Sequence, residues 1–436
     1  MQKTKVLYVL HNHPALFPGG AEAYALELYE TLRESPEFEP LLVARIGSNI
    51  ASARGAHPGA PFSAVGGDPN QYFLYTQTDD FDSFKMTSRD KNLYTQYVAE
   101  FIEAHKPDIV HFQHTLFIGY DLVSAVRRML PDAPLFYTLH EFIPICHRDG
   151  QMFRTNGELC THASPRRCNE CFPAIPPQDF FLRERFIKLH LDNIDMFLAP
   201  SRFLLERYVD WGIPRERIRF EDYGRIATNG AVPAMPASEG KRNRVGFFGQ
   251  LNYFKGVDVL LEAMALLGED GVDAHLTMHG ANLQLQPQRF RDEFDALLGK
   301  IRQRANNVTL AGEYVHDDLP RLMAEVDWVV VPSRWWENSP LVIQEAFQYQ
   351  RPVICSDIGG MAEKVTDGVD GLHFRAGDPR SLARVLERAA TTPALWESLR
   401  AGIPGIYDMQ THIASLGSMY REELERRQSR PRELAT

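Results

Sequence analysis

Two carboxylates lie close together in a stretch that reads Pro332-Ser333-Arg334-Trp335-Trp336-Glu337-Asn338-Ser339-Pro340-Leu341-Val342-Ile343-Gln344-Glu345-Ala346. Between Glu337 and Glu345 the chain carries a helix-start signal, with Asn338 or Ser339 as cap and Pro340 at the first helical position. Just upstream, Trp328-Val329-Val330-Val331 predicts a fully buried strand. Strand, polar loop and helix start, in that order, is how open α/β sheets present ligands beyond their strand ends. Amides at such a helix start suit an anion such as a diphosphate. Glu337 in the loop, and Glu345 about two turns into the helix, would each accept hydrogen bonds from hydroxyls on either side of that anion. A ligand built as sugar, diphosphate and ribose has this polarity along its length.

Three glycine-containing loops extend the pattern. Phe17-Pro18-Gly19-Gly20-Ala21-Glu22 follows a first strand and precedes an amphipathic helix, where paired glycines let backbone approach a ligand. Gly249-Gln250-Leu251-Asn252-Tyr253-Phe254-Lys255-Gly256 places the Lys255 ammonium just before a helix, suited to a diphosphate and its leaving charge. The third loop is Asp357-Ile358-Gly359-Gly360. Neither Gly-x-Gly-x-x-Gly nor the P-loop pattern occurs, which counts against dinucleotide oxidoreductases and P-loop ATPases. His111, His114 and His140 stand near strand ends and read as hydrogen-bonding or sugar-contacting groups in preference to metal ligands. Asp80-Phe81-Asp82, a pattern some transferases use for a divalent cation, follows no clear strand and reads as an acidic loop.

The elements that must position these groups alternate along the chain. Residues 6–10, 109–112, 135–139 and 196–199 predict strands of a first sheet; 245–248, 275–278, 308–311, 328–331 and 352–355 predict a second. Helical periodicity separates them, as in Val257, Leu260, Leu261, Met264, then Leu319, Leu322, Met323, Val326, then Leu382, Val385, Leu386, Ala389. Alternating β and α elements imply parallel sheets covered on both faces. An Ala/Pro/Gly-rich stretch around 226–240 has no period and reads as a linker. Two facing doubly wound domains would leave a cleft between their strand ends.

With 436 residues, 44% hydrophobic and 24% charged, the composition is that of a soluble two-domain enzyme. A formal net charge of -10 argues against nucleic acid as a partner. No apolar run reaches the roughly 20 residues needed to span a bilayer. The start of the chain, with its short apolar run broken by His11-Asn12-His13, reads as a core strand and not as a signal peptide. The tail from Tyr420 to Glu433 nearly cancels its own charge and reads as a solvated helix end.

Taken in order, these segments resemble the retaining nucleotide-sugar glycosyltransferases with the GT-B fold, of the family 4-like, "group 1" type. The likeness is carried by 249–256, Val308-Thr309-Leu310-Ala311-Gly312, 337–345, Pro352-Val353-Ile354-Cys355-Ser356-Asp357-Ile358-Gly359-Gly360 and Asp367-Gly368-Val369-Asp370-Gly371-Leu372, with Gly19-Gly20-Ala21-Glu22 matching an acceptor-side glycine loop. It implies an acceptor-side Rossmann-like domain over 1–225, a linker over 226–243 and a nucleotide-sugar-binding Rossmann-like domain over 244–405. A helical tail over 406–436 would return toward the first domain. It implies that Glu345 holds the ribose hydroxyls, Glu337 contacts the transferred sugar, and Lys255 stabilises the diphosphate, helped by Asn338, Ser339 and Leu341. Gly19, Gly20 and Gln250 would also line the donor, and His140 would stand by the transferred sugar. Gln250 occupies a position where the family usually has arginine, and so loses a full charge at the diphosphate.

The resemblance implies transfer from a UDP-, GDP- or dTDP-linked donor to a glycan, lipid-linked or other acceptor, as in polysaccharide or glycoconjugate assembly. No cofactor is required for that transfer. Alternatives are a nucleotide-sugar epimerase or phosphorylase on the same scaffold, or a non-catalytic sugar-binding subunit. The expected location is cytoplasmic, at the inner face of a membrane if Phe180, Phe181, Arg183 and Arg185 make peripheral contact. Those four read more simply as part of an amphipathic core helix.

One cluster stands outside this scheme. Cys146, Cys160, Cys168 and Cys171 fall within 146–171, and the last two form a chelating two-residue-spaced pair. In a cytoplasmic chain the two readings are a structural zinc site and free thiols.

Overall fold

The computed structural model describes residues 3–16, 19–47, 61–226, 240–304 and 306–429. Most of the expected linker, together with Phe17, Pro18, Arg430, Arg432 and Glu433, lies outside the described residues. Two compact units divide the chain: Met1–Ile226 with Tyr407–Thr436, and Ala227–Ile406.

In the first unit the strands are β1 (Thr4–Leu10), β2 (Phe38–Ile46), β3 (Phe62–Val65), β4 (Asp68–Tyr75), a small pair β5 (Phe81–Asp82) and β6 (Thr87–Ser88), then β7 (Ile109–Phe112), β8 (Leu135–Thr138), β9 (Met196–Ala199) and β10 (Ile218–Phe220). The main sheet runs β10-β9-β8-β7-β1-β2-β4-β3, parallel except where β3 pairs with β4. Its order reverses between β1 and β7, so the loops leaving those two strands meet at a topological switch point. Four strands of this sheet, β2, β3, β4 and β10, escape the sequence patterns. β2 contains Pro40, which ordinarily argues against a central strand. Here Pro40 pairs across from Val6 of β1, while pairing to β4 begins only at Leu42, so the missing amide falls where β2 has a single neighbour. The Asp80-Phe81-Asp82 reading is also corrected: Asp80 ends a short 3-10 turn after β4, buried Phe81 and Asp82 form β5, and Asp82 Oδ1 accepts from the amides of Phe84 and Lys85 to close a turn.

The helix Met409–Gln428 belongs to this unit and packs on the helix Gly20–Arg33. Tyr420 is fully buried, with its hydroxyl 3.1 Å from that of Tyr8 and 2.7 Å from Nδ1 of His111. Arg426 and Arg427 both bond Asp195, which also accepts from Arg127 at 2.5 Å. The tail is therefore anchored through Tyr420, Glu423, Arg426 and Arg427, while Arg421, Glu422 and Glu425 stay in solvent. Phe180 and Arg183 are likewise turned inward, Arg183 donating to the carbonyls of Phe84, Ile143 and Pro144. Of the apolar pair only Phe181 is exposed, so the membrane-contact reading loses Phe180 and Arg183. No helix among the described residues is long and apolar enough to cross a membrane.

The second unit is built from β11 (Arg244–Gln250), β12 (His275–Ala281), β13 (Val308–Gly312), β14 (Trp328–Val331), β15 (Val353–Ser356) and β16 (Gly371–Phe374). All pairs are parallel, in the order β13-β12-β11-β14-β15-β16. Numbered within the unit this is 3-2-1-4-5-6, the doubly wound order, with its switch point between β11 and β14. The helix stripes predicted from periodicity face the core: Val257, Leu260, Leu261 and Met264 are fully buried, and Leu319, Leu322, Met323 and Val326 nearly so.

Candidate functional site

The loops after β11 and β14 flank the switch point of the second unit, and their functional side chains meet there. Lys255 Nζ lies 2.6 Å from Glu337 Oε1, an ion pair between the two loops. The same oxygen accepts from Ser333 Oγ at 2.7 Å and Trp335 Nε1 at 2.9 Å. Burial alone would raise the Glu337 carboxyl; the Lys255 ammonium and these hydrogen bonds outweigh it and leave it below the usual carboxylate range. Glu337 is thus a fixed anion pinned by donors on one oxygen.

Glycine makes this loop geometry possible. A Cβ on Gly256 would fall 1.9 Å from the Pro332 carbonyl oxygen, and one on Gly360 would fall 1.6 Å from that of Asn338. Gly256 caps the helix Val257–Glu269 with φ +66, a left-handed conformation glycine adopts without penalty. The Gly360 amide donates to the Glu337 carbonyl at 2.8 Å. Backbone therefore lies against backbone on both sides of the 332–338 loop. Arg334 extends from it to Asp258 and over the Tyr253 ring.

Two details of the sequence reading change. The helix is Leu341–Gln348, and Pro340 is its N-cap with no side-chain cap bond, so Asn338 and Ser339 do not cap it and Pro340 is not its first residue. Pro340 has ψ 118, extended, which keeps it outside the helix. Glu345 is consequently the fifth helical residue, little more than one turn in, where it is buried 3.9 Å from His316 Nδ1. Asn338 and Ser339 are also buried, Leu341 is partly buried, and Gln250 is exposed at the end of β11. Ser333 and Trp335 escaped the sequence reading; the signal available was a hydroxyl four residues before Glu337 and an indole two before it.

At the switch point of the first unit, side chains do the assembling. Glu22 Oε1 lies 3.1 Å from His11 Nε2, the His11 and His114 rings are 4.0 Å apart, and His114 Nε2 lies 3.4 Å from Glu141 Oε1. His140 bonds Tyr223 through Nδ1 at 2.6 Å and Gln113 through Nε2 at 3.0 Å. Burial lowers His140 to about 3 and holds His114 well below the ordinary imidazole value, while it raises Glu141 above the usual carboxylate range. His111 bonds Tyr420 and Thr138 and serves the core. Gly19 caps the helix Gly20–Arg33, and a Cβ there would fall 2.3 Å from Glu22 Oε2, so glycine lets that carboxylate fold back over the helix start. His11 and Glu22 were missed as site residues, although His11 directly follows the first core strand and Glu22 lies in the first turn of the next helix.

A family model described as "Glycosyl transferase 4-like domain" matches residues 19–224, and one described as "Glycosyl transferases group 1" matches residues 242–392. The chain belongs to the glycosyltransferases. The alpha-D-kanosaminyltransferase of Streptomyces kanamyceticus is 29% identical over 178 residues, covering 37% of this chain and 44% of that protein. The D-inositol 3-phosphate glycosyltransferase of Jonesia denitrificans is 31% identical over 187 residues, 42% of each chain. The chain thus spans about half the length, or less, of the curated relatives it matches. Anabaena Alr3699/HepE, solved in complex with UDP-glucose, aligns at TM-score 0.65 and 16% identity over 96% of this chain and 99% of that one. The sucrose-phosphate synthase of Thermosynechococcus elongatus gives TM-score 0.70 at 17% identity over 97% of this chain and 100% of that one. These likenesses show the fold, two Rossmann-like α/β domains of the GT-B type.

Proposed function

We propose that the protein transfers a sugar from a nucleoside-diphosphate sugar to a hydroxyl of a glycan or lipid-linked acceptor, with retention at the anomeric carbon. The observation that carries this reading is the Lys255–Glu337 pair, set between glycine-packed loops at the switch point of the second unit. A fixed carboxylate beside an ammonium suits a ligand whose hydroxyl-bearing sugar is joined to a diphosphate. Glu337 accepts from sugar hydroxyls, Lys255 faces the diphosphate with the amides around Ser339 and Leu341, and Glu345 accepts from the ribose. Gln250 adds a neutral hydrogen bond at the diphosphate. Support also comes from Alr3699/HepE, a protein of the same fold solved with UDP-glucose, and from matching Klebsiella pneumoniae proteins named for a cps region.

In the transfer step the acceptor oxygen bonds to the anomeric carbon as the bond from that carbon to the diphosphate oxygen breaks. The electron pair leaves with the diphosphate, and the acceptor proton passes to a phosphate oxygen on the same face. Lys255 stabilises the charge that develops there, so the protein contributes position and electrostatics, without a cofactor. His140 is held neutral by burial and bonds Tyr223 and Gln113, so to contact a hydroxyl of the transferred sugar its Nε2 exchanges Gln113 for that hydroxyl.

Calorimetry with a panel of UDP-, GDP- and dTDP-sugars against the wild type and Glu345→Ala tests the donor reading. One donor should bind, and the variant should lose it. A folded wild type that binds none of them defeats the reading. NMR of the product anomer then tests retention.

A further inference from the structure

Beyond His140 the chain runs to the helix Pro165–Cys171 with no strand or helix of its own, only an isolated bridge between Phe153 and Leu159. A connection of that length inside a folded unit needs something to hold it. Arg183 ties its beginning through the carbonyls of Ile143 and Pro144. The remainder passes through left-handed backbone at Asp149 (φ 45), Gly150 (φ 68) and Met152 (φ 46), two of them non-glycine.

Three separate segments of this connection bring their thiols to one place. Cys146 ends a turn in which its amide donates to the Phe142 carbonyl at 2.7 Å. Cys160 returns from the bridge with its amide on the Met152 carbonyl at 2.8 Å. Cys168 and Cys171 are three apart on one helix, and so share a face. All four line a single cavity of about 30 Å³, room for one small occupant.

Buried cysteines often serve only as small apolar side chains. The charge around this cavity points elsewhere. Arg148, Arg154 and Arg167 line it, and Arg183 acts electrostatically on Cys146 and Cys168. Arg154 Nε is buried with no hydrogen-bond partner. Four thiolates around a dication carry a net charge of -2, which such a ring of guanidiniums offsets. Arg154 also pairs with Glu158 and Glu170, and Arg148 donates to the Phe153 carbonyl, so the thiolates would share guanidiniums that these groups already hold in place.

We propose that Cys146, Cys160, Cys168 and Cys171 form a four-thiolate site for a structural zinc ion that staples this connection beneath Glu141. Each thiol gives up its proton as its sulfur bonds the metal, so uptake of one ion releases up to four protons. Burial holds the metal-free thiols of Cys146, Cys160 and Cys168 above their ordinary value, Cys168 at about 11, so the metal itself must drive their ionisation. Among the described residues no three His, Cys, Asp or Glu side chains already stand at ligating spacing, so binding draws the thiols inward. Soft thiolate ligands and closed tetrahedral geometry select zinc without any redox chemistry. The staple bears on the first unit's switch point through Gly150. A Cβ there would fall 2.7 Å from both Glu141 Oε2 and the Ile143 amide nitrogen.

The test is metal analysis of the full chain purified under reducing conditions, with X-ray absorption at the zinc edge. One zinc per chain is expected, with four sulfur neighbours at about 2.3 Å. Cys168→Ser with Cys171→Ser should abolish it, and cadmium exchanged into the wild type should give a thiolate charge-transfer band. Because the wild type alone answers the question, a variant that fails to fold does not spoil it. Reduced protein that carries no zinc, takes up none on titration and shows four thiols reactive toward Ellman's reagent overturns the proposal. So does an iron–sulfur chromophore, or a pair of disulfides in freshly isolated protein.

Discussion

The two switch points are built from different materials. In the second unit, backbone lies against backbone at Gly256 and Gly360, and one carboxylate is pinned by three donors. In the first, His11, His114 and Glu141 come from the loops after β1, β7 and β8 and Glu22 from the first turn of a helix, and they touch only through their side chains. A backbone-built site tolerates little change in its glycines and holds a ligand of fixed shape. A side-chain-built site can alter its groove by substitution, although Gly19 and Gly150 are still needed where the Glu22 and Glu141 carboxylates fold back. Under the proposed function, this contrast would suit a second unit that holds the nucleotide sugar and a first unit that meets the acceptor.

The contrast can be broken most directly at Lys255. Lys255→Ala should lower turnover at saturating donor by about 10²–10³-fold, the usual cost of removing a charge-stabilising donor, while initial-rate kinetics still show acceptor saturation. Normal turnover would show that the second unit's switch point is not where leaving charge develops. Next in size, Gly360→Ala touches no ligand, yet its Cβ would meet the Asn338 carbonyl. It should cost about 1–3 kcal/mol in chemical denaturation and weaken donor binding. A variant as stable as wild type would mean that the loop yields, and that backbone contact does not set the site.

In the first unit, Tyr223→Phe removes the partner of His140 Nδ1 and should cost up to about tenfold in kcat/KM, the worth of one ordinary hydrogen bond. Donor affinity should be unchanged by calorimetry. The tail anchor gives a pH signature. Glu221 accepts from His412, Tyr407 and Ser415, and these bonds outweigh the burial that would raise its carboxyl, leaving it below its usual value. A depressed folded value means that its stabilisation is present above the unfolded value of about 4.3 and is lost as pH falls below it. The gap in melting temperature between wild type and Glu221→Gln should narrow through that window. The smallest effect is expected at exposed Gln250, where Gln250→Arg should tighten donor binding a few-fold, within the roughly 0–1 kcal/mol of an exposed ion pair.

How much was legible follows the same division. The second unit announced itself because its groups are local: Glu337, Asn338, Ser339, Leu341 and Glu345 lie in one run, and each strand is a short apolar block. Two things slipped: the helix start, because Pro340 sits at the boundary and reads equally as cap or first residue, and the edge strand β16, whose four residues include a glycine and a histidine. The first unit was less readable. β2 carries a proline that its position happens to excuse, β4 is polar, and β10 has only three residues. His11 and His114 are a hundred residues apart in sequence, and no periodicity links them; only the sheet order brings their loops together. The tail's charges cancelled on paper, yet Asp195 waits for Arg426 and Arg427 at a point that composition does not reveal.

The return of Met409–Gln428 to the first unit has a consequence for how the molecule is made. Tyr8, Tyr24 and His111 cannot find Tyr420 and His412 until the ribosome has passed through all of 227–406. At about 5–20 residues per second that delay is on the order of ten to forty seconds. During it the first-made half waits with an open apolar face while the later half emerges and closes on itself. The part of the chain translated first is thus the last to be completed.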